Sequence, residues 1–251
     1  MIEVFAGLLA EHSHILIFTG AGISTASGIP DYRGPQGVWK TRQPVYYRDF
    51  MSSAQARRAY WQQKGEDAAT FGDAQPNDVH AAIVTLERAG LVDLVVTQNV
   101  DGLHRAAGTS PNRLIELHGT NALIECQSCG ECTDPGPHHA RFAATGEPPD
   151  CACGGHLKPA TISFGQSLRS ADLYAAFEAA ERCDLVIALG STLAVTPAAD
   201  IPLRAAARGV PYAVINRGDT AHDGLGIITL RLDADVAEVL PAAVALALEQ
   251  G

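Results

Sequence analysis

The stretch HILIFTGAGISTASGIPDYRGPQGVW, from His14 to Trp39, decides how this chain is read. Ile15 to Phe18 form a continuous apolar run, the pattern of a parallel strand buried on both faces. Gly20, Gly22 and Gly28 follow among small and hydroxyl residues, and the segment closes on Pro30, Asp31, Tyr32 and Arg33. Glycine allows a tight turn and lets backbone N–H groups come close to a ligand. A strand that feeds such a turn is how a chain cradles a pyrophosphate. The loop departs from the dinucleotide fingerprint G-x-G-x-x-G, because Thr25 stands at the third glycine position and the usual carboxylate about twenty residues on is missing. Its meaning therefore depends on the rest of the chain.

Further apolar runs at Leu94–Thr97, Leu114–Leu117, Leu185–Leu189, Tyr212–Ile215 and Ile227–Leu230 predict strands. Helical patterns lie between several of them. From Asn77 to Ala89, Val79, Ile83 and Leu86 share one face, Asn77 is an N-cap and Gly90 a stop. The alternation predicts an α/β fold with a doubly wound, parallel, Rossmann-like sheet. With 251 residues, 47% of them hydrophobic, the chain can bury a sizeable core in one large domain.

The formal net charge of −10 and a pI near 5.3 argue against nucleic acid as a partner, which needs a basic face. No run approaches the roughly eighteen apolar residues of a membrane span, and the start of the chain has no signal-peptide pattern. The expectation is a cytoplasmic protein with no membrane partner.

Two stretches interrupt the α/β rhythm: residues 36–75, rich in Arg, Gln and aromatics, and residues 121–160, rich in Cys, Pro and Gly. Of six cysteines, five fall between Cys126 and Cys153, while Cys183 stands alone before an apolar strand and reads as a small buried hydrophobe. The second stretch has too few apolar residues to pack a core without a staple. Cys126-x2-Cys129 and Cys151-x-Cys153 offer four thiolates, a closed tetrahedral zinc set that leaves no position for substrate. The metal would be structural and its binding would fold the module. Cys132, His138, His139 and His156 are rival ligands nearby. The expected organisation is a Rossmann-like domain from 1–35, 76–120 and 161–251, with a smaller domain made of a helical insertion (36–75) and a zinc-binding module (121–160).

The chemistry is concentrated in VVTQNVDGLH and LIELHG. Gln98, Asn99 and Asp101 leave the C-terminal end of one strand and His118 that of the next, and open parallel sheets bind ligands at those ends. An imidazole works as a general base near neutral pH without a large pKa shift. Asn99 and Asp101 are too polar to be core residues without partners. His104 falls on a helix with no polar partner in view. Gly190, Ser191 and Thr192 follow another strand and offer donors to phosphate or ribose, and Asn216 and Arg217 follow the next.

GAGISTASGIPDYR, TQNVDGLH, LHG, the paired cysteines, GSTLAVTPA and the Ile215–Asn216 pair stand in the order and approximate spacing of the sirtuin family of NAD-dependent protein deacylases, which the chain resembles from about residue 10 to residue 240. The resemblance implies that Gly20, Ala21, Gly22, Pro30, Asp31 and Arg33 belong to the NAD-binding loop. Gln98, Asn99 and Asp101 would line the nicotinamide and ribose pockets, with Asp101 holding the carboxamide. His118 would be the general base. Gly190, Ser191, Thr192, Asn216 and Arg217 would hold the adenosine half, with Val236 near the adenine. An acyl-lysine oxygen would attack the ribose carbon that carries nicotinamide. His118 would then take a proton through the ribose hydroxyls, giving free lysine and O-acyl-ADP-ribose, with NAD consumed. The substrate peptide would lie as a strand along Ile162–Gly165 and Ala194–Val195.

Two departures qualify the resemblance. Gln166 stands where many sirtuin deacetylases carry an acid. ARRAYWQQK, from Ala56 to Lys64, resembles the branch with weak deacetylase and ADP-ribosyl transfer activities. Tyr60 is followed at the Tyr-x-x-Arg spacing of the desuccinylating branch by Gln63, so Arg57, Arg58 and Lys64 read as a solvated helix face. A mono-ADP-ribosyltransferase or NAD-cleaving enzyme on the same scaffold, and a non-catalytic NAD-sensing module, are the alternatives.

Overall fold

Side chains alternate across a strand, so a fully apolar strand must be covered on both faces. The computed structural model, which describes residues 1–33, 37–40 and 42–249, satisfies that demand with helices on either side of a parallel sheet. In chain order the first elements are α1 (Ile2–Ala10), β1 (Ile15–Thr19), α2 (Tyr47–Ser52), α3 (Ala54–Phe71), α4 (Asp78–Arg88), β2 (Val92–Thr97), α5 (Leu103–Ala107), β3 (Leu114–Glu116) and β4 (Gly119–Cys126). They are followed by β5 (Cys132–Thr133), α6 (Pro135–Thr145), β6 (Leu157–Thr161), α7 (Ser170–Arg182), β7 (Leu185–Leu189), α8 (Asp200–Ala206), β8 (Tyr212–Ile215), β9 (Leu230–Leu232) and α9 (Val236–Glu249).

The large sheet runs β3-β2-β1-β7-β8-β9, all parallel. Ile15 and Ile17 pack with α1, α4 and α9 on one face, while Leu16 and Phe18 pack with α7 and α8 on the other. Cys183 is buried in the second cluster. The strand order reverses between β1 and β7, and crevices for ligands open at such a switch point. There the two loops touch: a Cβ on Gly22 would lie 2.7 Å from the Gly190 Cα, and Gly190 itself has φ +61°. Only glycine fits this approach.

The smaller unit is an antiparallel sheet, β5-β4-β6, with α2, α3 and α6 beside it. Its core joins both interruptions of the α/β pattern: Phe50, Tyr60 and Trp61 pack with Ile124, Cys126 and Leu157. The Trp61 indole N–H donates to the Leu157 carbonyl at 3.0 Å. Gln36 and Thr41 of the first interruption, like Gly34 and Pro35 of the opening stretch, lie outside the described residues, as does the Trp39 side chain.

The helix expected over Asn77–Ala89 is α4, capped by the Asn77 side chain. One strand is displaced from its expectation. Ile227 and Ile228 are not in β9, which occupies Leu230–Leu232. They follow Gly226, at φ +66°, and pack against the α7/α8 side of the sheet as part of a loop, so their apolar character serves that layer and not the ladder. The Leu114–Leu117 run ends a residue early, because Leu117 turns into the His118 corner.

Candidate functional site

A cleft of about 680 Å³ opens at the C-terminal ends of β1, β2, β7 and β8 and extends to the smaller unit. Gly20, Ala21, Gly22, Asp31, Arg33, Gln98, Asn99, His118, Gly190, Ser191, Thr192, Asn216 and Arg217 line it together. Pro30, Asp101 and Val236 are not among its lining residues. Val236 is buried at the start of α9 in the core beneath the sheet. Asp101 stands one layer back, accepting from Ser24 Oγ at 2.7 Å and from the Leu103 N–H at 2.9 Å.

Each polar side chain has a local reason for its position. Asn99, almost fully buried, donates through Nδ2 to the Gly20 carbonyl at 3.2 Å and to Ser24 Oγ at 3.1 Å. Ser24 thus links Asn99 to Asp101 and ties the glycine loop to the end of β2. Ser191 Oγ donates to Gln98 Oε1 at 2.8 Å, bridging the ends of β7 and β2. Asn216 turns its amide to the carbonyls of Arg217 and Gly218, both at 3.1 Å, and Arg217 pairs with Asp235 at 2.6 Å.

His118 is half-buried, with Nδ1 3.1 Å from the Gln98 carbonyl oxygen. That acceptor assigns the proton to Nδ1 and leaves Nε2 as the basic nitrogen. Burial pushes its pKa below the ordinary histidine value, with the nearby Arg33 cation acting in the same direction and the Gln98 carbonyl opposing them. The imidazole is therefore neutral at neutral pH, the form that accepts a proton. The His118 carbonyl accepts from the Ile162 N–H at 2.7 Å, which fixes the edge from Ile162 to Gly165 beside the imidazole. That edge and Ala194–Val195 face the same cleft.

Several residues were not singled out by the sequence. Ser24 is one, although a hydroxyl two residues beyond Gly22 was a usable signal. Tyr60 and Lys64 of α3, which the sequence reading placed outside the site, line the cleft, and Lys64 Nζ donates to Asn121 Oδ1 at 3.2 Å, so Lys64 does not belong to a solvated face. Arg58, paired with Glu147, does. Lys158 is fully buried under the 161–166 edge, its Nζ donating to the Pro159 and Thr161 carbonyls and lying 3.5 Å from Gln166 Oε1. No spacing rule marks it. His104 has the partner the sequence did not reveal, Thr19 Oγ1 at 3.0 Å from Nε2, which is long-range and invisible to local pattern.

In the smaller unit the Sγ atoms of Cys126, Cys129, Cys151 and Cys153 all lie within 4.8 Å of one another. Four thiols gathered this closely, in two pairs on facing turns, are the donor set of a tetrahedral zinc. The rivals point elsewhere: Cys132 Sγ contacts the Gly130 carbonyl, His138 bonds Thr133 Oγ1 at 2.9 Å, His156 pairs with Asp150 and His139 stacks edge-on against Trp61.

A family model described as the Sir2 family matches residues 20–197. The chain belongs to the Sir2 family. This Sir2 protein is 40% identical over 233 residues to a protein of Rhodopseudomonas palustris named NAD-dependent protein deacetylase, covering 92% of each chain. To a protein of Archaeoglobus fulgidus named NAD-dependent protein deacylase 2 it is 37% identical over 242 residues, 96% of this chain and 93% of that one. Among solved structures it resembles a Sir2 enzyme at TM-score 0.87 and 36% identity, covering 100% of this chain and 98% of the other. A Sir2 protein bound to a propionylated peptide aligns at TM-score 0.84 and 32% identity over 95% of each chain. Both the parallel sheet and the cysteine-bearing small sheet are thus Sir2 architecture.

Proposed function

We propose that this Sir2 protein is an NAD-dependent protein lysine deacylase that releases nicotinamide and O-acyl-ADP-ribose. The observation that carries the reading is convergence. One cleft brings the Gly20–Gly22 loop, Gln98 and Asn99, Ser191 and Thr192, and a neutral His118 to two edges that can take an extended peptide. The N–H groups of Gly20, Gly22 and Gly190 bond to the Leu189, Gly190 and Ile215 carbonyls and fix the two loops. The residues beside these glycines would donate to a pyrophosphate, and the Asn216 end of β8 suits the adenosine ribose. Asp101 acts on the nicotinamide side through Ser24, which accepts from Asn99 and donates to the Asp101 carboxylate. His118 Nε2 takes the proton that lets a ribose hydroxyl attack the acyl carbon. An acyl-lysine peptide laid along Ile162–Gly165 gains main-chain hydrogen bonds, which favour broad sequence tolerance.

The four-cysteine site would hold zinc in a structural role, since its ligands are all protein thiolates and it lies in the smaller unit. We draw the two parts of that unit at 36–75 and 121–160, with the remainder as the NAD domain, a division that the shared core around Trp61 supports. A net charge of −10 speaks against nucleic acid. Among the described residues no helix is long and apolar enough to cross a membrane, and clustered thiol ligands suit the reducing cytoplasm.

The test is to incubate the protein with NAD and a panel of acetyl-, longer acyl- and succinyl-lysine peptides and to follow both products by mass spectrometry. Nicotinamide and O-acyl-ADP-ribose appearing together support deacylation. Nicotinamide alone would replace it with ADP-ribosyl transfer or NAD hydrolysis, and neither product with any peptide would point to a binding role.

A further inference from the structure

The glycine loop is built from two single 3-10 turns, Ala21–Ile23 and Thr25–Ser27. Turns of this kind have poor hydrogen-bond geometry and do not hold their shape alone. On the cleft side the loop is tied at Gly20 and Ser24 by Asn99, and at Gly22 by the Gly190 carbonyl. A further tie comes from outside the cleft, from Asn77, which is not one of its lining residues.

Asn77 is the N-cap of α4, where its Oδ1 accepts the Val79 N–H at 2.9 Å. Its amide nitrogen reaches the other way, and Nδ2 donates to the Ile23 carbonyl at 2.8 Å and to Ser27 Oγ at 2.9 Å. One amide therefore grips both 3-10 turns. The capping bond fixes the amide orientation, because Oδ1 must face Val79 and Nδ2 must then face the loop. His80 Nδ1, accepting the Asn77 backbone N–H at 3.3 Å, closes the reciprocal half of the capping box. Ile23 is buried in the same apolar cluster as Val79 and Ile83 of α4, so the carbonyl that Asn77 satisfies sits on a rigid wall.

We infer that Asn77 is a positioning residue for the dinucleotide: it holds the Ala21–Ser27 loop in its binding conformation before NAD arrives. The inference rests on the reading of that loop as the NAD site. Holding a loop in its bound shape lowers the entropy that binding must overcome. Its loss therefore weakens the dinucleotide and leaves the peptide edge, to which Asn77 makes no hydrogen bond, as it was.

Asn77→Ser separates capping from loop holding, because serine caps a helix about as well as asparagine but is too short to reach Ile23. The measurements are NAD and ADP-ribose affinity by calorimetry, KM for NAD against KM for an acyl-lysine peptide, and the ligand-free melting temperature. The expected result is a loss of ~10-fold in NAD affinity, the size of one or two hydrogen bonds, with KM for NAD rising alike and KM for the peptide holding within about twofold. Ser27→Ala supplies an independent check: it should weaken NAD binding in the parent and have little further effect in Asn77→Ser. NAD affinity in Asn77→Ser equal to that of the parent overturns the inference, as do additive losses in the double variant or parallel losses for NAD and peptide. Failure of the parent itself to bind NAD would overturn the functional reading instead.

Discussion

The two units of this molecule are held together by different physics. In the large sheet, β1 and β7 are buried along their whole length and two apolar layers cover them. In the smaller unit only β6 is buried along its whole length, β4 is partly buried, α6 buries no residue, and among the described residues the buried apolar cluster is Phe50, Tyr60, Trp61, Ile124, Cys126 and Leu157. A core that small offsets little of the entropy of ordering its chain, and the zinc proposed for the four thiolates would supply the balance. The cleft lies where the units meet. Its glycine loops belong to the large sheet, and the edge proposed for the peptide, Ile162–Gly165, continues from β6 of the smaller unit.

The largest expected effect separates the units outright. Stripping the metal with a strong chelator, or replacing Cys126 with Ser, should abolish hydrogen-exchange protection in β4–β6 while β1 and β7 keep theirs. Deacylation should be lost, and ADP-ribose binding by the Gly20 and Gly190 loops should persist in weakened form. Retained protection of β4–β6 without metal would refute the contrast.

His118→Ala addresses the shared cleft. Deacylation should fall by about 10²–10⁴-fold, the range of a lost general base, with NAD affinity nearly unchanged. In the parent, the acid limb of kcat/KM should lie below the ordinary histidine pKa of about 6.5, because burial and Arg33 favour the neutral imidazole. A limb above that value would be at odds with the site's electrostatics.

Trp61→Ala tests the contrast from within the smaller unit. Removing this fully buried ring and its bond to Leu157 should cost ~3–5 kcal/mol, felt in the smaller unit as weaker zinc retention and lower local protection, with the large sheet little affected.

The smallest effect concerns the large unit and pH. Burial holds the His104 pKa down to about 3, with His80 adding to the depression, so the folded state keeps this imidazole neutral while the unfolded chain protonates it near 6.5. The unfolded state thus binds more protons between those values, and stability falls as pH drops through that window. His104→Gln should flatten the decline of the melting temperature measured from pH ~6.5 to ~4, and an unchanged slope would remove His104 as its cause.

The sequence disclosed most about the unit that folds by burial. β1, β7 and β8 are runs whose every residue is apolar or closes the strand, so their pattern is local and strong. β9 was misplaced because Ile227 and Ile228 are as apolar as a strand but cover a layer from a loop. The smaller unit was legible only through its cysteines. Its core joins Phe50 and Trp61 to Leu157 across about a hundred positions, and α3 buries only Tyr60 and Trp61, too few to set a helical stripe. The site followed the same division. Gly20, Gln98, Asn99, His118 and Ser191 each come directly after a strand or one residue beyond it and were readable. Lys64 and Lys158 take their places from tertiary contacts that no spacing records, whereas Ser24, two residues beyond Gly22, could have been read.

Everything proposed for the cleft turns on one neutral imidazole that couples NAD cleavage to acyl transfer. The decisive experiment compares the parent and His118→Ala with NAD and an acyl-lysine peptide, with NAD binding confirmed in both and both products quantified by mass spectrometry. Equal amounts of nicotinamide and O-acyl-ADP-ribose are expected from the parent, and about 100-fold less O-acyl-ADP-ribose, or lower still, from the variant. Undiminished O-acyl-ADP-ribose from His118→Ala would remove the imidazole from the reaction and with it the proposed mechanism.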